Sequence, residues 1–293
     1  MTFHLENDLL KGSFKQLGAE LCSLFDKQTQ TEHVWQADPK VWSRHAPILF
    51  PIVGQVENNT YHIGEKEYKL SQHGFARDRN FEVEKQSDNS IVFLLKSDAE
   101  SLKVYPYQFE LRVVYTLTQN KLAIGYEVKN TDQQKIWFSI GAHPGFVCPF
   151  TSEESFSDYT LAFEKAETVE RMLFADGLLN GKKQACLDNE SKIDLSHELF
   201  DGDAIILSNL KSTYVDLKNK SNKKALRFHF ESFPLLAFWT KPGAKADYLC
   251  IEPWFGVADT KGENKDYREK AFIEKLEVGS VFDCEYALEI LIS

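Results

Sequence analysis

The sequence predicts an all-β protein, a large antiparallel β-sandwich with a few short helices. Apolar residues recur mainly at every second position, which is the spacing of half-buried strands. About a dozen such segments follow one another, many separated by Gly, Asn or Asp, and no alternation of strands with helices interrupts the series. Phe is abundant, at 22 of 293 residues, and aromatic side chains favour strands.

The clearest element is a long antiparallel hairpin over residues 109–129. Apolar and polar residues alternate along both of its arms, and Gln119-Asn120 supplies the turn. Shorter strands are predicted at 19–25, 61–70, 91–95, 136–140, 159–164, 204–207, 213–217, 225–230, 235–240, 248–252 and 282–292. Short helices are predicted at 39–45, 196–200 and 265–271.

Residues 1–293 are predicted to form a single domain. The chain contains no internal repeat and no low-complexity linker. The polar stretch 181–192 is interpreted as an exposed loop, because strand patterns of the same style resume after it. One large sandwich is therefore favoured over two separate domains.

Charge and composition exclude several classes of protein. The formal net charge is −10, from 34 basic and 44 acidic residues with no basic block, so neither nucleic acid nor a membrane surface is an expected partner. Glu6 and Asp8 stand where a secretory signal would be basic and then apolar, and no segment approaches the roughly 20 apolar residues of a membrane span. The five cysteines are scattered without a CxxC spacing. A cytoplasmic location is expected.

Four short segments depart from the alternating pattern. Each of them combines an ionisable side chain with Gly or Pro, which fix a backbone direction that a plain strand does not need. Loops at strand ends are where a rigid sandwich would present a functional site. The segments are residues 44–54, 72–78, 141–146 and 250–256.

His143 and Glu252 are the candidate acid/base residues. His143 ends an apolar run, and Pro144 holds it in an extended backbone, although an isolated histidine at a strand end is more often a hydrogen-bonded structural residue than a catalyst. Glu252 ends a buried strand beside large aromatic rings. Its carboxylate must be paired, hydrogen-bonded or raised in pKa, and a raised pKa is what a general base near neutral pH requires. A salt bridge on an edge strand is the alternative.

His73 and Arg77 are candidates for ligand binding, because they are four residues apart in a Gly-containing loop and both supply hydrogen-bond donors. Arg77 can also belong to a solvated charge run with Asp78 and Arg79. Aromatic residues on which a ligand can stack, or which simply pack in the core, are Phe146, Trp239 and Trp254.

Familiar metal and nucleotide motifs are absent from the sequence. The eight histidines show no HxH, HxxxE or HExxH spacing, so no metal site is predicted. There is also no GxSxG, no P-loop and no GxGxxG followed by a helix. No cofactor is expected.

Taken together in this order, the four segments resemble those of the aldose 1-epimerase family, in its LacX-like branch. The most specific parts are Gly-Ala-His-Pro-Gly-Phe at 141–146 and Ile-Glu-Pro-Trp-Phe-Gly at 251–256, and the similarity covers nearly the whole chain. The resemblance implies a galactose mutarotase-like supersandwich. It also implies an enzyme, an isomerase that interconverts the α and β anomers of an aldose without a cofactor.

The resemblance also implies roles for individual residues. His143 matches the family's general acid, which protonates the ring oxygen, and Glu252 matches the general base, which removes the proton from the anomeric hydroxyl. His73 matches a second histidine that contacts the substrate. Asp203 is a weaker match to an aspartate that binds sugar hydroxyls, and Trp254 is included among the substrate-binding residues.

Two departures from the family pattern leave the sugar open. The galactose mutarotases carry an Asn-Arg pair where this chain has Glu57-Asn58-Asn59, and Arg77 is the candidate replacement for that arginine. A family glutamine in the predicted strand 235–240 is also missing, with Ala237 the nearest match.

Two alternatives to a mutarotase for free aldoses remain open from the sequence. One is a carbohydrate-binding or sensing protein with little turnover. The other is a hexose-phosphate mutarotase, which predicts a cationic cluster at the cleft mouth, with Arg44, Arg77 and Arg79 as candidates. The expected partner in every case is a small-molecule sugar, and the chain is expected to be a monomer or a homodimer.

Overall fold

The computed structural model describes residues 1–222, 224–263 and 265–291 and is built almost entirely from antiparallel strands. The first strands are β1 (Thr2–Glu6), β2 (Leu10–Lys15), β3 (Leu21–Asp26), β4 (Thr31–Glu32), β5 (Ile48–Leu49), β6 (Thr60–Ile63), β7 (Lys66–Lys69), β8 (Glu82–Gln86), β9 (Ser90–Lys96), β10 (Phe109–Thr118), β11 (Lys121–Asn130) and β12 (Ile136–Phe138). The others are β13 (Ile140–Ala142), β14 (Gly145–Val147), β15 (Tyr159–Ala175), β16 (Leu178–Asp194), β17 (Ile205–Ser208), β18 (Tyr214–Asn219), β19 (Ala225–His229), β20 (Leu235–Trp239), β21 (Tyr248–Phe255), β22 (Glu274–Leu276) and β23 (Val281–Leu291).

Helical structure is confined to short pieces. A single α-helical turn, α1, spans Ser101–Val104. The 3₁₀ segments are Glu57–Asn59, Ala76–Asp78, Phe156–Asp158, His197–Phe200 and Tyr267–Glu269. Within the described ranges, no helix is long and apolar enough to cross a membrane.

Fifteen strands form one sheet whose hydrogen-bonded path runs β5-β13-β21-β20-β17-β15-β18-β19-β23-β11-β10-β9-β8, with β14 added on β21 and β16 on β15. This sheet folds back on itself. Five strands lie between β21 and β23 along the path, yet the ring centroids of Phe255 on β21 and Phe282 on β23 are 5.1 Å apart across the core. The two facing parts of the sheet therefore bury one large apolar core between them.

A four-stranded sheet, β1-β2-β3-β4, covers part of the main sheet. Phe14 of β2 packs against Tyr115 of β10 with ring centroids 4.2 Å apart. The Tyr115 hydroxyl donates to the carbonyl of Ala19 at 2.7 Å, so the buried phenol is satisfied at the junction of the two sheets. The remaining pairs are β6-β7 and β12-β22.

The predicted all-β sandwich is confirmed. The element predicted most accurately is the long hairpin. β10 and β11 pair in continuous register from Phe109↔Asn130 to Thr118↔Lys121, with the turn at Gln119-Asn120. The alternation of buried and exposed residues along both strands follows the alternation in the sequence. The last strand, predicted to 292, is observed as Val281–Leu291, and Ile292 lies outside the described residues.

Three local predictions are wrong. Residues 181–192 are not a loop but lie in β16, an exposed strand that pairs with β15, so its polarity reflects a solvent-facing position. Residues 39–45 form no helix, because Asp38 holds only a single turn through the amides of Val41 and Trp42. The predicted strand 61–70 is two strands, β6 and β7, joined by a turn at Gly64.

The loop that carries His73 is held against the sandwich by close backbone contact. Gly74 has φ +72°, and Phe75 donates its amide to the carbonyl of Phe50 at 3.0 Å. A Cβ atom on Gly74 would lie 2.2 Å from the Phe50 carbonyl oxygen. Glycine is therefore required here both for the backbone angle and for the approach of the two segments.

Replacing Gly74 by alanine is expected to lower the free energy of unfolding by about 3 kcal/mol, because left-handed strain adds to a backbone clash. Urea unfolding measures this change. Gly64→Ala is the matched control, since Gly64 has φ +59° and open space around its Cβ position, so only the strain of about 1 kcal/mol is expected. Equal losses in the two variants would contradict the proposed contact with Phe50.

Candidate active site

A cavity of about 350 Å³ opens beside β20 and β21 and is called the site cavity below. All six residues that the sequence singled out for catalysis or binding line it, namely His73, Arg77, His143, Asp203, Glu252 and Trp254. They come from four separate segments of the chain. The fold therefore brings together side chains that are far apart in sequence.

The sheet register places His143 beside Glu252. β13 and β14 both pair with β21, through Gly141↔Trp254 on one side and Gly145↔Cys250 on the other. Either register, continued into the short gap between the two strands, puts His143 directly opposite Glu252. Cross-strand neighbours have side chains on the same face, so the two groups meet at the cavity floor.

Glu252 lies inside a strand that is buried on both faces. Leu249 and Ile251 belong to the main core, and the alternate positions, including Cys250, Glu252 and Trp254, face the other side. Only 1% of the surface of Glu252 is exposed. Burial, followed by the charge of Asp203, raises the pKa of the Glu252 carboxyl well above its usual range.

His143 is held from several sides. Its amide donates to the carbonyl of Pro47 at 3.1 Å, Trp42 stacks on its ring at a centroid distance of 4.9 Å, and Trp239 meets the ring edge-on at 5.5 Å. Burial in these aromatic surroundings lowers the pKa of His143 to about 3. Gly145 has no room for a side chain, because a Cβ would lie 2.9 Å from the Trp42 ring.

The two groups touch without forming a well-aligned hydrogen bond. His143 Nε2 is 3.2 Å from Glu252 Oε2. Among the described residues, neither oxygen of Glu252 has a hydrogen-bond partner, nor does Nδ1 of His143. The two pKa shifts run in the directions that favour a neutral His143 and a protonated Glu252 over an ion pair. Both oxygens of Glu252 are thus available for hydrogen bonds to a ligand in the cavity.

His73 forms a second wall of the cavity. The Gly54 amide donates to His73 Nδ1 at 3.1 Å, and burial, with the nearby His143 and Arg77, lowers the pKa of His73 well below its usual range. A neutral ring that accepts at Nδ1 carries its proton on Nε2. His73 is therefore a hydrogen-bond donor to whatever occupies the cavity.

Arg77 is the cationic residue that lines the site cavity. One Nη donates to the carbonyl of Gln72 at 2.7 Å, and Nε is 3.8 Å from Asp78. Arg44 pairs with the same Asp78 at 2.9 Å, whereas Arg79 pairs with Asp98 instead. Burial and the nearby Arg44 lower the pKa of Arg77 to about 10, which leaves it charged at neutral pH.

The aromatic residues divide between the cavity and the core. Trp239 and Trp254 line the cavity, and the Trp254 indole donates to the carbonyl of Ala142 at 3.2 Å. The suggestion that Phe146 stacks on a ligand is wrong, because its ring is fully buried and packs against Phe228. Ala237 pairs with Glu252 in the register, so an apolar methyl group stands at that place.

Several cavity residues were missed by sequence reasoning, among them Trp42, Phe174, Gly177 and Pro242. Trp42 was placed in a predicted helix, although its ring lies over His143. Phe174 and Gly177 come from the tip of the β15-β16 hairpin, which was not predicted to exist at this length. The polar sequence of β16 does not indicate that the tip of its hairpin with β15 reaches the cavity.

The floor of the cavity also contains a set of possible metal ligands. One atom each from His143, Cys250 and Glu252 lies within 4.8 Å of the others. These three residues are called the floor cluster below. The pair proposed for acid/base work and a buried thiol thus share one small space.

Comparisons with known proteins agree with this geometry. A family model described as aldose 1-epimerase matches residues 1–269. The plasmid-borne protein LacX of Lactococcus lactis subsp. lactis is 38% identical over 285 residues, which cover 94% of this chain and 95% of that protein. The chromosomal protein LacX is 37% identical over the same shares.

Solved structures show the same architecture. A galactose mutarotase related enzyme from Lactobacillus acidophilus has a TM-score of 0.95 and 35% identity, over 100% of this chain and 98% of that one. A galactose mutarotase-like protein from Lactobacillus casei ATCC 334 has a TM-score of 0.94 and 33% identity, over 99% and 100%.

Nitrogen NMR of ¹⁵N-histidine-labelled protein can show whether His143 or Glu252 is the protonated member of the pair. His143 is expected to show neutral imidazole shifts at about pH 5, more than a unit below the ordinary histidine pKa of about 6.5, because burial opposes its charged form. His143→Gln identifies the resonance. An imidazolium signal for His143 at that pH would instead place the proton on the histidine and make the resting pair an ion pair.

Proposed function

Because the chain belongs to the aldose 1-epimerase family, as a LacX-like member, we propose that it interconverts the α and β anomers of an aldose in the site cavity. The observation that carries the proposal is the buried contact between His143 and Glu252. Binding a sugar does not require a buried acid and base in contact with each other. Proton transfer during ring opening does require an acid and a base at the sugar.

The geometry of the pair suits the reaction. Opening a hemiacetal needs one proton delivered to the ring oxygen and one removed from the anomeric hydroxyl. Both oxygens are bonded to the same carbon, so two groups 3.2 Å apart can reach both of them. After rotation about the adjacent C–C bond, ring closure by the reverse proton transfers gives the other anomer and resets both residues.

Ring opening changes which of the two residues, His143 or Glu252, is protonated. With His143 as acid and Glu252 as base, ring opening leaves His143 neutral and Glu252 protonated. That is the arrangement which burial favours in the empty cavity. A bound sugar stabilises the other arrangement, because its hydroxyls donate to the unpartnered carboxylate oxygens of Glu252 and lower the pKa of that group.

The remaining cavity residues are proposed to orient the sugar. His73 donates from Nε2, Arg77 supplies a charged donor, and Asp203 accepts from sugar hydroxyls. Trp239 and Trp254 offer aromatic faces to the C–H surface of the ring.

A phosphorylated aldose is a second candidate substrate, and one observation favours it. Arg77 lines the cavity with only one of its guanidinium nitrogens within hydrogen-bond distance of a described partner, and Arg44 stands next to it across Asp78. A charge-assisted contact with a phosphate would be worth about 1.5–3 kcal/mol. The predicted cluster of three arginines is reduced, because Arg79 is held by Asp98.

His143→Gln and Glu252→Gln are each expected to lower kcat by about 10²- to 10⁴-fold, which is the usual contribution of one acid/base group. Polarimetry on a panel of aldoses measures the rate above the spontaneous reaction. His229→Gln is the matched control, because His229 forms a surface pair with Glu289 at 2.8 Å and should keep wild-type activity. Circular dichroism checks that each variant is folded.

Wild-type rates in either His143→Gln or Glu252→Gln would show that the acid and base roles are misassigned. A wild-type protein that binds sugars but accelerates none of them would replace the enzyme by a binding or sensing protein.

Arg77→Met separates the two substrate classes when kcat/KM is measured for an aldose and its 6-phosphate. For a free-aldose enzyme, the wild type should not prefer the phosphate, and the variant should lose activity on both sugars. A wild-type preference of about tenfold or more for the phosphate that disappears in Arg77→Met would favour the second candidate. Arg79→Met is the control, since Asp98 holds Arg79 away from the cavity lining.

A further inference from the structure

Cys250 stands beside the proposed acid/base pair without a part in the reaction. It precedes Glu252 by two residues on β21, so both side chains leave the strand on the same face. Its register partners are Gly145 and Trp239, and Trp239 lines the cavity. The thiol is fully buried below the cavity floor.

The floor cluster has the composition of a transition-metal site. Zn²⁺ is bound by imidazole, thiolate and carboxylate groups, and sites with three protein ligands keep a fourth position open. With metal–ligand bonds of about 2.0–2.2 Å at the tetrahedral angle, two light-atom ligands stand about 3.4 Å apart. His143 Nε2 and Glu252 Oε2, at 3.2 Å, have nearly this separation, and Cys250 lies within reach of the same point.

A second, independent observation also points to a cation. Glu252 is only 1% exposed, and in the described part of the chain both of its oxygens lack a hydrogen-bond donor. Burial disfavours the ionised form of this group, and a cation bound to its oxygens would offset that cost. The site cavity gives an ion a path to this carboxylate and leaves room for a water or a hydroxyl as fourth ligand.

We propose that His143, Cys250 and Glu252 bind Zn²⁺ or a related transition-metal ion, and that the bound ion blocks the acid/base pair. On binding, the Cys250 thiol and the protonated Glu252 carboxyl release their protons to solvent, and sulfur–metal and oxygen–metal bonds form with no change of oxidation state. The ion takes the lone pairs of His143 and Glu252 that proton transfer would use. Magnesium, which prefers oxygen ligands and octahedral geometry, does not fit this set.

This proposal departs from the expectation drawn from sequence spacing, which predicted no metal site. Cys250 and Glu252 are two residues apart on a strand, and His143 joins them only through the sheet register. The inhibitory effect rests on the proposed function, whereas the binding site itself does not. The two can therefore fail separately.

The test uses the full chain without a histidine tag and Co²⁺ as a spectroscopic probe for Zn²⁺, with no sugar present. The expected result is a near-ultraviolet sulfur-to-cobalt charge-transfer band together with visible bands of a tetrahedral site, at one Co²⁺ per chain. Zn²⁺ should displace the cobalt and remove both sets of bands, and Mg²⁺ should not.

Cys250→Ala should lose the charge-transfer band and bind Co²⁺ at least about tenfold more weakly. Cys284→Ala is the matched control, since Cys284 is a buried cysteine on β23, away from the cavity lining, and it should keep the band. Absence of the band in the wild-type protein, or its survival in Cys250→Ala, would overturn the site. The wild-type spectrum decides the matter even if Cys250→Ala does not fold.

The inhibitory effect is tested by polarimetry on the wild-type protein. Zn²⁺ should abolish the acceleration of mutarotation, and a chelator should restore it. Wild-type protein that shows the cobalt band but keeps full activity with Zn²⁺ bound would overturn the blocking role while leaving the binding site intact.

Discussion

The contact between His143 and Glu252 is the constraint on which the rest of the site depends. The two ionisable groups are 3.2 Å apart and almost closed off from water. The protonation state of each therefore depends on that of the other. Burial favours the form with least charge, which is a neutral His143 beside a protonated Glu252. Every other residue in the cavity either keeps this pair in place or determines what can reach it.

The fold supplies that constraint through sheet register rather than through a local motif. β21 is a central strand with β20 on one side and the two short strands β13 and β14 on the other. The gap between β13 and β14 frees the backbone of His143 from the ladder while keeping it opposite Glu252. A rigid sheet thus fixes the distance between two groups whose burial is electrostatically costly.

The sequence predicted what depends on alternation and on local chemistry, and it failed where tertiary contacts decide. The β10-β11 hairpin was predicted to the residue at its turn, because one buried face imposes a strict period of two. β16 has no buried face over most of its length, so its polar residues looked like a loop. Trp42 lies over His143 only because Asp38 turns the chain there, and no periodic pattern records such a turn.

The features that support our proposal of proton transfer at the floor cluster also support our proposal of a metal ion there. The oxygens of a carboxylate without hydrogen-bond donors can accept from a sugar hydroxyl, and they can also bind a cation. What distinguishes them is Cys250, which adds nothing to a hydroxyl but supplies a soft third ligand to a transition metal. A mutarotase that replaced this cysteine by an apolar residue of similar size would keep the acid/base pair and give up the metal.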